Sequence, residues 1–221
     1  MQLDRGGSAV GILDAIHHVD EDEGLKYLKK YYLSDAEFFT GSQFEQIGAE
    51  PGTENKFTVA DLYSVATLAV NVPARAGLAI LGNEAETFNG LLGEIPDVEI
   101  RSLTESEFET HLGVKSPALE LWDRLRRNGH NERRWGIGPT LASKLMSRKR
   151  PHLIPIEDSV VDRVINRGRS DSWRLWWEAF QAEGDYLERR ADRLRAEIGR
   201  PDLSTLRVFD VMLWMWGKDN A

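Results

Sequence analysis

Trp135-Gly136-Ile137-Gly138-Pro139-Thr140-Leu141-Ala142-Ser143-Lys144-Leu145 is the stretch that decides how this chain is read, together with Asp158 in Pro155-Ile156-Glu157-Asp158-Ser159. Two glycines flank one apolar residue. Gly136 and Gly138 permit positive φ and close approach of another backbone, and Ile137 can point into a core. Proline suits the first turn of a helix, so a helix is expected from Pro139. Such a bend turns backbone N–H groups outward. A helix N-terminus carries roughly half a positive charge, which makes a phosphate its natural guest.

The spacing and residue types resemble the helix-hairpin-helix DNA glycosylase superfamily, over about residues 131–167. The family's usual form is Leu-Pro-Gly-(apolar)-Gly-x-x-Thr-Ala; here Arg134 and Trp135 hold the first two positions, Leu141 stands in place of threonine and Ala142 keeps the alanine. In the family a catalytic aspartate follows the hairpin at the start of the next helix, in a Pro-x-Asp or Pro-x-Asp-Asp pattern. The resemblance therefore implies Asp158 as the catalytic carboxylate, with Glu157 as the second candidate. Asp158 can equally be a plain helix cap. Family members that also cut the strand carry a lysine two residues after the second hairpin glycine. Thr140 stands there, which implies a monofunctional, water-using enzyme. Only residues 131–135 directly precede the hairpin, so either its first helix is truncated or residues 116–128 serve with an extra loop.

The net charge of −8 argues against a nucleic-acid partner if taken as an average. Residues 124–150 hold nine Lys or Arg against one acid, a local +8 that leaves −16 for the remainder. A basic stretch centred on the hairpin of an acidic protein is the expected footprint for a polyanion. The residues expected to meet DNA are Arg134, Gly136, Ile137, Gly138, Thr140, Lys144, Arg148 and Lys149. The bland reading of the same cluster is a solvated helix face.

The chain contains no cysteine. That excludes disulfides, a thiol nucleophile and the four-cysteine cluster of some helix-hairpin-helix glycosylases. Five scattered histidines give no zinc spacing, and neither metal nor cofactor is expected. No apolar run approaches the roughly 20 residues a membrane span needs, and the N-terminus lacks a signal-peptide pattern, so a cytoplasmic protein with no membrane and no protein partner is expected.

Helical periodicity recurs along the whole chain. Helices are expected over residues 8–19 and 21–33, and from Thr58 to Val72–Pro73 behind a capping box with Asp61. Further helices are expected over 84–92, from Thr104 to about Gly113, and from Ser116-Pro117 to Asn128-Gly129. Residues 78–82 are left open between helix and strand, and 95–103 read as loop or extended. Phe38-Phe39-Thr40-Gly41-Ser42-Gln43-Phe44 is a hydrophobic corner or, alternatively, a wall where a base stacks. After Asp158 come an apolar stripe to Ile165 and helices over 170–182, 186–198 and from Ser204. Trp173, Trp176, Trp177 and Phe180 are assigned to the core.

These readings add up to an all-α, two-lobed bundle with a helix-hairpin-helix and a cleft between lobes. Residues 1–115 form the N-terminal lobe, 116–168 the hairpin and aspartate segment, and 169–221 the closing helices. The function the resemblance implies is hydrolysis of the N-glycosidic bond of a flipped-out damaged or modified base, for repair or against a phage's modified DNA. A non-catalytic DNA-binding hairpin protein is the alternative, and a protein whose basic patch meets an acidic partner the third.

Overall fold

In the computed structural model, which describes residues 9–34, 39–127, 134–169 and 171–220, the chain is all-helical with no strand among those residues. Its α-helices are α1 (Ala9–His18), α2 (Glu21–Leu33), α3 (Val59–Ser64), α4 (Ala74–Leu78), α5 (Ala85–Glu94), α6 (Glu105–His111), α7 (Pro117–Arg126), α8 (Pro139–Lys149), α9 (Ser159–Val164), α10 (Ser172–Glu197) and α11 (Thr205–Asp219). Start signals written in the sequence do their work. Thr58 and Thr104 close capping boxes with Asp61 and Glu107, and Ser116 caps α7 ahead of Pro117. None of the helices is long and apolar enough to cross a membrane.

The chain divides into two compact units, residues 1–39 with 155–221, and residues 40–154. This division does not coincide with boundaries at 115 and 168: the first two helices join the last three because α1 and α2 pack on α10 and α11. Within that unit α9 meets α11 at Gly217, where a Cβ would lie 2.7 Å from Val160 Cγ1 and Val164 Cγ2. The Arg190 guanidinium is buried and donates to the carbonyls of Ile16 (2.6 Å) and Val19, the open end of α1. A cation at a helix C-terminus meets the negative end of the dipole there, which helps to offset its burial. Trp173, Trp176, Trp177 and Phe180 lie in the core, as expected. The two helices expected over 170–198 are one, bent where Glu183 leaves helical geometry (φ −135°, ψ 29°).

In the other unit, α5 and α8 both pack on α7, and α3 on α8. The helix expected to reach Val72–Pro73 stops at Ser64 and continues as a 3₁₀ turn to Leu68, closed by Ala69 at φ 58°. Side chains take the carbonyls a longer helix would use. Thr67 Oγ1 donates to Ser64 O at 2.6 Å, Thr40 Oγ1 to Thr67 O at 2.7 Å, and Lys144 Nζ to Leu68 O at 3.1 Å. Residues 79–83 form a wide π-type turn broken at Gly82, and 100–102 a 3₁₀ turn.

Arg150 is the largest side chain wholly inside this unit. It donates to the carbonyls of Ile95 (2.8 Å), Leu92 (2.6 Å), Glu54 (3.0 Å) and Lys149 (2.8 Å) and to Asn55 Oδ1 (2.5 Å). One planar fork therefore ties the end of α8 to the end of α5 and to the loop at 54–55. Arg150→Met keeps the volume but strands buried carbonyls. It is expected to lower stability by about 3 kcal/mol, read as a fall in the urea midpoint with little change in slope.

Candidate functional site

The Gly-Ile-Gly bend is built by alternation. Trp135 and Ile137 are buried, while Arg134, Gly136, Gly138 and Pro139 are exposed. Gly136 sits at φ +91°, which favours glycine, and a Cβ there would crowd Pro73 Cγ at 3.1 Å. Ile137 is core, as expected, and can meet a ligand only through its backbone. Trp135 anchors the bend. Its Nε1 donates to Leu125 O at 2.6 Å, its ring stacks on Phe88 at 6.3 Å, and the Arg127 guanidinium lies 3.8 Å from its ring centre. Arg127 is held in turn by Glu84 at 2.7 Å. Residues 128–133, including Arg133 and most of the short first hairpin helix, lie outside the described residues.

Gly138 is the N-cap of α8 at φ −93°, ψ −178°, with no side chain to accept from the first turn. Pro139 removes one N–H, and the amides of Thr140 and Leu141 have no helical carbonyl to donate to. Nothing lies within 4 Å of a Cβ built on Gly138, so a side chain fits there. Ala142 and Ser143 behind it are wholly buried.

The downstream cations are placed otherwise than a polyanion footprint requires. Lys144 is buried, with Nζ on Leu68 O. Arg148 donates to the carbonyls of Phe44 (3.0 Å), Glu45 (2.7 Å) and Ile47, and pairs with Asp61 at 3.2 Å. Lys149 pairs with the same carboxylate at 2.5 Å and donates to Thr53 O. Burial lowers the Lys149 pKa, with Asp61 acting against that shift. The expectation that Lys144, Arg148 and Lys149 offer charge to DNA is corrected here: Lys144 holds the 3₁₀ turn at Leu68, and Arg148 and Lys149 hold the segment from Phe44 to Thr53 and the start of α3. On the far side of the bend, Arg124 pairs with Glu120 and Arg126 lies over Trp122. Among the described residues, Arg134 is the exposed cation next to the bend itself.

Asp158 caps α9, accepting from Val160 N at 2.9 Å, and its side chain is half-buried. Glu157 is buried and pairs with Arg167 at 3.3 Å, while Arg167 also pairs with Asp162 at 2.6 Å. Burial works against the Arg167 charge, but the bonds to Asp162 and Glu157 outweigh it and raise its pKa. Of the two candidate carboxylates, Asp158 is the more open and Glu157 the more committed. Among the described residues no cluster of three or more His, Asp or Glu can hold a metal.

Sequence reasoning missed one cluster. On α11 Arg207 and Asp210 are buried and paired at 2.5 Å, and Arg207 also donates to Tyr31 Oη at 3.2 Å. Two opposite charges three residues apart in an otherwise apolar helix were the available signal.

The two glycines of the bend are expected to respond differently to alanine. Gly136→Ala should cost about 1–2 kcal/mol from the left-handed backbone alone. Gly138→Ala, with ordinary φ and open space, should cost less than about 1 kcal/mol. Thermal melts of both variants check this, and equal losses would mean that the bend does not have the geometry described.

No curated protein and no solved structure matches the chain. Residues 25–217 match the model of a family described as a family of unknown function (DUF6308), and the chain belongs to that family.

Proposed function

We propose that this protein is a monofunctional DNA glycosylase, hydrolysing the N-glycosidic bond of a modified or damaged base. The observation that carries the reading is the N-terminus of α8 behind the glycine bend, which no side chain caps and whose first-turn amides have no helical carbonyl to donate to. In this reading the bend holds a backbone phosphate through Gly136, Gly138 and Thr140, helped by Arg134. Lys144, Arg148 and Lys149 support the fold and do not touch the strand.

Asp158 supplies the chemistry. Breaking the bond sends its electron pair to the departing base and leaves an oxocarbenium-like sugar, which a fixed carboxylate stabilises while accepting a proton from the attacking water. The target base must leave the stack to be reached, at a cost of a few kcal/mol that is least for a damaged or poorly paired base. A second reading, a binding protein without chemistry, is favoured by one observation: Asp158 and Glu157 each already have a structural partner.

Gly138→Asp tests the grip. An aspartate at the N-cap would take the amides of α8 for itself and repel a phosphate, so the fold should hold or gain stability while duplex affinity falls about fivefold or more. Unchanged affinity in a titration of labelled duplex would remove the bend from the interface. Asp158→Asn tests the chemistry, because asparagine caps a helix as well as aspartate does. The wild type should release free base from at least one member of a panel of alkylated, mismatched and phage-modified DNAs, seen by mass spectrometry. The variant should bind as before and release none; absence of release by the wild type across the panel would leave the binding reading.

A further inference from the structure

The surface around the bend is set apart by a shortage of acids. Of the chain's 221 residues 36 are acidic, yet residues 134–156 contain none. Residues 55–83 contain one, Asp61, which is buried and already paired with Arg148 and Lys149. The fold lays these two stretches against each other. A Cβ on Gly136 would crowd Pro73, Lys144 Nζ donates to Leu68 O at 3.1 Å, and α3 packs on α8. Glu84, just beyond the second stretch, is held by Arg127 at 2.7 Å. From Pro73 the chain runs straight into α4, where Ala76 and Gly77 are buried while Ala74, Arg75 and Leu78 are exposed. Arg75 is two residues from Pro73, so its Cα lies within about 8 Å of that of a residue touching the bend, and its long side chain adds to that reach. Elsewhere arginines sit on nearby carboxylates: Arg101 on Glu99, Arg124 on Glu120 and Arg193 on Glu21. Among the described residues Arg75 and Arg134 have no carboxylate partner.

We propose that Arg75 is a second phosphate contact of the bend, taking a DNA phosphate next to the one held at the start of α8. A protein of net charge −8 repels a polyanion over most of its surface. The approach costs least where two stretches almost free of acids have been packed together, and that is where the bend lies. Cations buried beneath this face cannot supply the attraction, because Lys144, Arg148 and Lys149 are spent on carbonyls and on Asp61. Arg75 and Arg134 can, one on each side of the contact between Pro73 and Gly136. A guanidinium that no protein carboxylate neutralises brings its whole charge, and its planar fork matches the oxygens of a phosphate. The inference rests on the reading of the bend as a phosphate grip. It adds to that grip a residue from α4, which lies some 60 residues from the bend in sequence and outside the basic stretch at 124–150.

The test is an anisotropy titration of a fluorescently labelled DNA duplex with the full chain over a series of salt concentrations. Losing one phosphate contact lowers the slope of log affinity against log salt by about one, and Arg75→Ala is expected to show that smaller slope together with weaker binding at low salt. Arg75→Glu is expected to weaken binding by about tenfold or more. Lys218→Glu makes the same change of net charge at an exposed position near the end of α11, and is expected to bind within about twofold of the wild type because distant charges are screened. Both substitutions of Arg75 suit the first turn of α4, alanine through its helix propensity and glutamate through the helix dipole, so the fold is retained. Equal losses from Arg75→Glu and Lys218→Glu, or a wild-type salt slope in Arg75→Ala, overturn the proposal. If Gly138→Asp weakens binding while the Arg75 variants do not, the grip at the bend stands and Arg75 has no part in it. If neither position matters, or the wild type does not bind the duplex, both fall together.

Discussion

In the unit of residues 40–154 one buried carboxylate joins the start of α3 to the last turn of α8. Asp61 is 1% exposed and closes the capping box of α3 while receiving Arg148 and Lys149 from the last turn of α8. Of three cations in succession, Arg148 to Arg150, the first two pair directly with Asp61. The excess charge is tolerated because main-chain oxygens surround it: Phe44, Glu45, Ile47, Thr53, Glu54, Leu92 and Ile95 all accept from this trio. The trio also sits at the C-terminus of α8, where the dipole favours positive charge. Removing Asp61 would take away the carboxylate that both Arg148 and Lys149 pair with inside the fold, a far larger penalty than the pair's net worth.

That arrangement explains why charge counted along the chain misled about charge in space. Nine basic residues around the bend read as a surface, yet Lys144, Arg148, Lys149 and Arg150 reach partners some 50 to 100 residues away in sequence and are buried by them. No local pattern encodes those partners, because loop carbonyls carry no signature of their own. Their long stems also pack as apolar matter once the head groups are satisfied. The same blindness affected helix length. Val59 to Val70 has a sound helical stripe, but carbonyls claimed by Thr40, Thr67 and Lys144 end the helix early. Local devices, by contrast, were legible: the two capping boxes, Ser116 before Pro117, Asp158 before α9, and the tryptophans whose spacing put them on one buried face of α10.

The bend itself was half legible. Gly-Ile-Gly-Pro announces a turn, a buried apolar residue and a helix start, and each is present. What the residues did not announce is how the turn is anchored. Trp135 takes a position that is proline in the resembling family, and it brings a stack with Phe88, a hydrogen bond to the end of α7 and a guanidinium at its face. Proline restrains a bend through its own φ; tryptophan restrains it through the core beneath. A bend held through Trp135 keeps its backbone in place without the downstream cations, which are occupied elsewhere.

The same logic bears on the two acids near α9. A carboxylate that must meet a developing positive charge has to be fixed, yet it must keep a face that is not already neutralised. Glu157 fails the second condition, because Arg167 sits against it within a buried network that Asp162 completes. Asp158 is the more open of the two, and its N-cap bond to the Val160 amide fixes the side chain. In the proposed reading that cap supplies the pre-organisation a charge-stabilising group needs.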